Sequence, residues 1–161
     1  MITKDMSEAT TIVDYKVLRV SSPAFQHNGL IPFKYTCDGE NINPPIHIQS
    51  FPEETKTLAI IIDDPDAPSG TFCHWVVWNI PATHEIREKE SRGMQGPNDY
   101  DHHKYDGPCP PSGMHRYMIK VYALNRSLDL PVSADKWNLE KVMSDYIIGF
   151  GFIIGKYQRP F

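Results

Sequence analysis

Prolines and glycines interrupt this sequence along its whole length and leave room only for short regular elements. The 161 residues include 14 prolines and 10 glycines, and the apolar residues between them fall into short runs. Because both residue types end or disturb helices, long helices are disfavoured over most of the chain. Such spacing of turn residues is typical of a domain built mainly from β-strands.

Composition indicates a globular chain with its own core. Apolar residues make up 40% of the sequence, and a chain of 161 residues can be built around one hydrophobic core. We therefore predict a polar N-terminal lead-in over residues 1–15 and a single domain over residues 16–161. The net charge of −4 disfavours binding to nucleic acid or to anionic membranes, because both select basic surfaces.

Targeting signals are not evident in the sequence. No run of 18 apolar residues occurs, and the N-terminal residues carry charges such as Lys4 and Asp5 instead of the apolar core of a signal peptide. A cytoplasmic location is therefore expected. Cys37, Cys73 and Cys109 form no C-x-x-C pair, so reduced structural thiols are expected, and a disulfide between distant cysteines stays open.

Several segments have the pattern of β-strands. Residues 16–20 alternate between polar and apolar, and the apolar or aromatic runs are residues 58–62, 75–80, 117–124 and 150–157. Because β-branched and aromatic residues dominate these runs, we predict central strands over the first three and a last strand over residues 150–157. Residues 85–106 have no sustained period, and long loops of this kind often line binding sites.

One segment has helical periodicity. The apolar residues at this spacing are Trp137, Leu139, Val142, Met143 and Tyr146. They predict a helix over residues 135–146 that is capped by Ser133 or Asp135 and ended by Gly149 or Gly151.

Polar residues at the ends of the predicted strands suggest a binding site. Asp64 and Asp66 follow the run 58–62, His74 precedes the run 75–80, and His115 and Tyr117 begin the run 117–124. Side chains alternate along a strand, so His115 and Tyr117 share a face, and His74 is predicted to share one with Val76 and Trp78. If the strands are neighbours, these groups converge at one end of the sheet.

The residue types in this cluster favour a small oxyanion. Imidazole N–H, phenol O–H and backbone N–H groups all donate hydrogen bonds, and such bonds to an anion are strong. The Gly107-Pro108 corner is expected to offer a backbone N–H, because glycine allows close approach of a ligand. Asp64 can orient a histidine or meet an ammonium group, so a zwitterionic head group satisfies all of these residues.

Structural roles compete with this interpretation at each position. Aspartates beside a proline, such as Asp64 and Asp66, often bind their own backbone in a turn. His74 or His115 alone is more typical of a half-buried structural histidine, and Arg116 favours an ion pair with a carboxylate.

Two other functions are left open. In a hydrolase, Ser112 or Cys109 would be the nucleophile beside the histidines, but no Gly-x-Ser-x-Gly elbow presents either residue. In a metal site, His102, His103, Cys109 and His115 would be the ligands, but their spacing matches no standard zinc pattern. Neither a cofactor nor a metal is expected, and enzymatic activity is less expected than binding.

Longer motifs add a family resemblance. They are Asp64-Pro65-Asp66-Ala67-Pro68, the run from His74 through Trp75-Val76-Val77-Trp78-Asn79-Ile80-Pro81, Gly107-Pro108-Cys109-Pro110-Pro111 and Gly113-Met114-His115-Arg116-Tyr117. Together they resemble the signature of the phosphatidylethanolamine-binding, or Raf-kinase-inhibitor-like, family in its bacterial and archaeal branch. Many eukaryotic members carry two adjacent histidines where this chain has Cys73-His74, so the resemblance extends only to the second.

The resemblance implies a mainly β fold with a large antiparallel central sheet packed on a smaller sheet and a few short helices. It also implies a non-catalytic pocket for phosphate or phosphoethanolamine-type head groups. Its ligand-binding positions are Asp64, His74, Gly107, Pro108, His115 and Tyr117, with Asp66 and Pro68 at the rim. Modulation of a kinase or a protease, and association into a homodimer, are further properties that the resemblance leaves open.

Overall fold

The structure is a computed structural model and describes residues 15–160. The strands are β1 (Lys16–Val17), β2 (Val20–Ser21), β3 (Gly29–Leu30), β4 (Ile46–Ile48), β5 (Thr57–Asp64), β6 (Phe72–Pro81), β7 (Glu85–Ile86), β8 (Met94–Gln95), β9 (His115–Leu124) and β10 (Ile147–Tyr157). Within the described residues, the single α-helix is α1 (Lys136–Met143), and 3₁₀ turns occupy Phe33–Tyr35 and Ser144–Tyr146.

Two sheets pack against each other. The larger sheet has the order β1-β10-β9-β5-β6-β8, and β3 also pairs with β10. Its central pairs are antiparallel, whereas the short strands β1 and β3 run parallel to β10. The smaller sheet has the order β2-β4-β7. The predicted mainly β fold, with a large central sheet on a smaller one, is confirmed.

Strand β5 lies at the centre of the large sheet and is buried along its whole length. Leu58, Ile60 and Ile62 belong to the first core, which packs against the smaller sheet. Ala59 and Ile61 belong to a second core, which α1 covers. Both faces of β5 therefore lie against a core, which explains the continuous apolar run in its sequence. Burial of each isoleucine contributes about 2 kcal/mol.

The predicted first strand, residues 16–20, is divided between the two sheets. Its first part pairs with β10 and its last residue begins β2, which pairs with β4. Leu18 packs where Gly149 and Gly151 leave space, so side chains on these glycines would overlap it. The predicted lead-in over residues 1–15 lies outside the described residues, apart from Tyr15.

The predicted helix is confirmed in place but not in its end. Asp135 caps α1 in a capping box with Asn138, and the chain then forms the 3₁₀ turn Ser144–Tyr146. Gly149 and Gly151 do not end the helix; they lie inside β10. Trp137 is 69% exposed, so only part of the periodic face is buried. No helix within residues 15–160 is long and apolar enough to cross a membrane.

Candidate ligand-binding site

The predicted histidines and tyrosine meet at one end of β5, β6 and β9. The His74 and Tyr117 rings contact edge to face, with centroids 5.4 Å apart, and the His115 and Tyr117 rings stack with centroids 6.5 Å apart. The predicted shared face of His115 and Tyr117 therefore agrees with their contact. Asp64 ends β5 beside His115.

The predicted face of His74 is wrong. Val76 and Trp78 lie in the second core, whereas His74 contacts Tyr117, which belongs to the first. The cause is a bulge, because the pairing of β5 with β6 shifts register between Ile62 and Asp63. A bulge adds one residue to a strand and thereby re-aims the neighbouring side chain. This irregularity brings His74 into the site.

Asp64 and His115 form a buried pair. His115 Nδ1 lies 2.7 Å from Asp64 Oδ2, and the other oxygen of Asp64 accepts the backbone N–H of Asp66 at 2.8 Å. A carboxylate that accepts from Nδ1 fixes the tautomer of the ring and leaves Nε2 for another partner. The turn role of Asp64 and its proposed orienting role therefore coexist.

His74 is oriented by the backbone. Its Nδ1 lies 2.8 Å from the carbonyl oxygen of Asp106, and because a carbonyl only accepts, Nδ1 carries the proton. Burial lowers the pKa of His74 below its ordinary value, against the opposing effects of this hydrogen bond and of nearby carboxylates such as Asp64. The ring is therefore neutral near pH 7, with Nε2 as its remaining nitrogen.

The Tyr117 hydroxyl is buried and has no hydrogen-bond partner among residues 15–160. Burial and the charge of Asp64 raise the pKa of Tyr117 far above its ordinary value, so the group is a neutral phenol. The nearby backbone amide of Cys109 acts in the other direction and lowers the pKa of Tyr117, but the amide and the hydroxyl do not have the geometry of a hydrogen bond. Buried hydroxyls usually have partners, so this exception indicates a place for a ligand atom.

These groups surround a cavity of about 190 Å³. Its lining is largely aromatic and proline-rich, and it contains one carboxylate and no lysine or arginine. The lining residues are Asp64, Ala67, Pro68, Phe72, His74, Tyr100, Cys109, Pro110, Pro111, His115 and Tyr117. Of the eight residues predicted for the pocket and its rim, five are therefore in the lining.

Gly107, Pro108 and Asp66 are not among the lining residues. The Gly107 amide is not free for a ligand, because its N–H donates to Asn41 Oδ1 at 2.7 Å. A side chain at Gly107 would overlap the carbonyl oxygen of Tyr35, so glycine here permits close packing of two chain segments. The prediction that this corner supplies a free N–H is therefore wrong.

Asp66 forms the ion pair that was expected for Arg116. The guanidinium contacts both carboxylate oxygens, at 2.8 and 2.9 Å, and the Arg116 backbone N–H also donates to Asp66. These bonds lower the pKa of Asp66 to about 2. The pair connects the turn after β5 to the start of β9.

Cys37 and Cys109 form a disulfide with a Cα–Cα distance of 5.5 Å. The expectation of reduced thiols is therefore wrong for this pair, since segments that are 72 residues apart in sequence meet at the cavity wall. Spacing alone could not show that meeting. Cys73 is free and buried, and burial raises the pKa of its thiol to about 12, which fits the expected structural thiol.

The disulfide and the histidine contacts weaken both alternative functions. Cys109 is bonded to sulfur and so has no free thiol to act as a nucleophile. His102 Nδ1 contacts Asp106, whereas His103 Nδ1 contacts the Gln95 carbonyl oxygen. Across residues 15–160, no group of three or more His, Cys, Asp or Glu side chains is arranged to hold a metal.

Three residues of the site had no individual sequence signal. Phe72 and Tyr100 line the cavity with ring centroids 4.7 Å apart, and Asp106 holds His74. Tyr100 and Asp106 lie in the segment predicted as a long loop, residues 85–106, in which the structure forms the short strands β7 and β8. The length of that loop was the signal, and the prediction that it lines a site agrees with the position of Tyr100.

Comparisons with known proteins agree with the motifs. The family model for phosphatidylethanolamine-binding protein matches residues 21–158. A UPF0098 protein of Pyrococcus horikoshii is 46% identical over 153 residues, covering 88% of this chain and 77% of the relative. A UPF0098 protein of Aquifex aeolicus is 45% identical over 153 residues, covering 89% and 90%.

Two solved structures share the fold. A Chlamydia trachomatis protein described as a phosphatidylethanolamine-binding protein homologue gives a TM-score of 0.85 at 32% identity, covering 89% of this chain and 99% of that one. Escherichia coli YbcL, described as a member of the mammalian family, gives a TM-score of 0.81 at 25% identity, covering 88% and 98%. This chain therefore belongs to the phosphatidylethanolamine-binding protein family.

Proposed function

We propose that the cavity binds a small phosphorylated group, either phosphate or a phosphoethanolamine-type head group, without catalysis. The observation that carries this proposal is the buried Tyr117 hydroxyl, which lacks a partner among residues 15–160. A buried polar group without a hydrogen bond costs about 1 to 3 kcal/mol. A ligand oxygen that accepts from this hydroxyl would remove that cost.

Two imidazoles add to this donor set. Nδ1 of His115 and of His74 is already bonded, to Asp64 and to Asp106, so Nε2 is the nitrogen that each ring has left for a ligand. A protonated Nε2 donates to an oxyanion, and such charge-assisted bonds are about twice as strong as neutral ones. The anion itself would favour the protonated rings.

The charges of the lining favour a zwitterion over a bare dianion. Asp64 is the carboxylate of the lining, and the lining contains no lysine or arginine. An ammonium group would be attracted to this carboxylate and to the faces of the Phe72 and Tyr100 rings. A volume of about 190 Å³ admits a head group and is small beside typical pockets for larger ligands.

Calorimetric titration with O-phosphorylethanolamine tests this proposal on the wild type and on His115→Ala. We expect saturable heat for the wild type and its loss in the variant, because His115 supplies one of the donors. His84→Ala is the matched control, since His84 also forms a hydrogen bond through Nδ1, to the Ile48 carbonyl oxygen, but does not line the cavity. No heat in the wild type, or equal binding by His115→Ala, would contradict the proposal.

Coupling of the occupied cavity to a protein partner, such as a kinase or a protease, is part of the same proposal. Its support is that Tyr100 lines the cavity and is also 45% exposed, so one side chain can contact both ligand and partner. Affinity for a candidate kinase or protease should then change when O-phosphorylethanolamine is added. A cytoplasmic location, one domain over residues 16–161 and a homodimer stay predictions.

A further inference from the structure

Asn98 is a buried residue with several hydrogen bonds, and it lies in the loop that forms one wall of the cavity. Its side chain is not in the cavity lining, and the residue is 5% exposed. The Nδ2 group lies 3.0 Å from the His74 carbonyl oxygen, 3.0 Å from the Lys104 carbonyl oxygen and 2.7 Å from Asp106 Oδ2. One amide therefore connects the core strand β6 to the last residues of the loop, Lys104 and Asp106.

The oxygen of the same side chain accepts hydrogen bonds from the middle of the loop. Asn98 Oδ1 accepts the backbone N–H groups of Tyr100 at 2.9 Å and His102 at 3.0 Å. Tyr100 lines the cavity, so these bonds set the position of one of its rings. Both the donor and the acceptor capacity of Asn98 are used, as expected for a buried polar group.

Asp106 contacts His74 twice through its backbone. Its N–H donates to the His74 carbonyl oxygen at 3.2 Å, and its carbonyl oxygen accepts from His74 Nδ1 at 2.8 Å. The second contact decides which ring nitrogen of His74 carries the proton. The position of the Asp106 carbonyl therefore controls the state of a cavity side chain.

The Asp106 carboxylate has three partners, which differ in exposure. His102 and Lys104 each lie 2.8 Å from it, but both side chains are about half exposed. Exposed ion pairs contribute about 0 to 1 kcal/mol and are screened by salt. Asn98 is the buried partner, so its hydrogen bond is the one that fixes the carboxylate.

We propose that Asn98 is a positioning residue that holds Asp106 against His74. It thereby keeps the proton of the neutral His74 ring on Nδ1 and leaves Nε2 to take up the second proton with which it donates to an anion. Its effect on ligand affinity rests on the proposed function. Its effect on the His74 tautomer is independent of any ligand. The two parts can therefore fail separately.

The test records ¹⁵N signals of the histidine rings in the wild type, Asn98→Ala and Asn98→Asp, without ligand. Asn98→Asp has nearly the same size and keeps an acceptor for Tyr100 and His102, but it loses the donor to Asp106. We expect a single Nδ1–H tautomer for His74 in the wild type. In both variants we expect a mixture with the Nε2–H tautomer.

Asn43→Ala is the matched control. Asn43 is also buried and bonds the carbonyl oxygens of Pro44 and Arg87 and the Glu90 N–H, away from the cavity lining. It should lose stability and keep the His74 tautomer. A wild-type His74 in the Nε2–H form, or variants of Asn98 that keep the single Nδ1–H form, would overturn the inference.

Affinity for inorganic phosphate gives a second readout. When the Asp106 carbonyl oxygen no longer accepts from Nδ1–H, the doubly protonated ring that donates to phosphate is disfavoured. Binding should therefore weaken by about five- to tenfold in the Asn98 variants and stay unchanged in Asn43→Ala. Equal affinity in all of these proteins would leave Asn98 with a purely structural role. If the wild type binds no phosphate, the proposed function fails, and the ring signals alone decide the role of Asn98.

Discussion

At the scale of single residues, two buried tyrosines differ in one hydrogen bond. Tyr105 donates its hydroxyl to the Tyr35 carbonyl oxygen at 2.7 Å, whereas the Tyr117 hydroxyl has no partner among residues 15–160. Both rings lie in the first core. Removing each hydroxyl should therefore have opposite consequences for stability and for binding.

We expect Tyr117→Phe to leave the free energy of unfolding unchanged or slightly higher, because it removes an unpaired buried hydroxyl. The same variant should bind O-phosphorylethanolamine about 10- to 100-fold more weakly, since a hydrogen bond to a charged ligand is lost. Tyr105→Phe should lose about 1 to 2 kcal/mol of stability and bind normally. Denaturant titration and calorimetry measure both quantities, and unchanged binding by Tyr117→Phe would count against the proposed site.

His74 predicts a pH dependence of stability. Burial lowers its pKa in the folded state, so the unfolded chain takes up the proton first as the pH falls. Stability should therefore decrease below about pH 6.5, the ordinary histidine value, and be recovered above it. His74→Gln, which does not titrate, should show a shallower decrease between about pH 7 and pH 5 in denaturant titrations. Identical curves for the two proteins would contradict this assignment.

Ligand binding should have the opposite pH dependence. An anion favours protonated His74, so affinity should rise as the pH falls from about 8 to about 5.5. The ionisable groups near His74 are Asp63, Asp64, Asp106, Tyr100, His115 and Tyr117. Sulfate is the suitable probe, because its charge stays constant over this range. Flat sulfate affinity would show that neutral donors dominate.

At the scale of elements, one short segment supports the cavity wall. The Cys37 amide donates to the Pro108 carbonyl oxygen at 3.1 Å, Asn41 accepts from Gly107, and Cys37 is bonded to Cys109. Cys109 lines the cavity. The segment after the first 3₁₀ turn therefore holds the Gly107-Pro108-Cys109 corner and occupies the Gly107 amide.

The disulfide should be a large contributor to stability. A bridge between residues 72 apart in sequence restricts the unfolded chain by about 4 kcal/mol in the loop-entropy estimate. We expect dithiothreitol to lower the free energy of unfolding of the wild type by about 2 to 4 kcal/mol in denaturant titrations. The double variant Cys37→Ser and Cys109→Ser is the control and should not respond. Equal stability with and without reductant would contradict the expected contribution.

Sequence patterns predicted the elements better than their local irregularities. The runs 58–62, 75–80, 117–124 and 150–157 all lie within observed strands. Burial on both faces explains the continuous apolar signal of β5 and β6, whereas buried and more exposed positions alternate in β10. The bulge between Cys73 and Trp75 had no such signal, since it depends on pairing between two strands. Alternation therefore placed His74 on the wrong face.

At the scale of the whole molecule, family motifs predicted the sheet arrangement and most of the cavity. Asp64, His74, His115 and Tyr117 lie in those motifs and in the lining. The residues that hold these side chains in position were not predictable. Asn98 and the Cys37–Cys109 bridge act through contacts between distant segments, and a single sequence records no such contacts.

The central claim is that the cavity binds an anion through His74, His115 and Tyr117, and the histidine ring signals test it most directly. In a titration with O-phosphorylethanolamine followed by ¹⁵N NMR, the His74 and His115 ring signals should shift together and saturate. His27, His47 and His84, which do not line the cavity, should not move. Saturable shifts at those histidines, with His74 and His115 unchanged, would contradict the account.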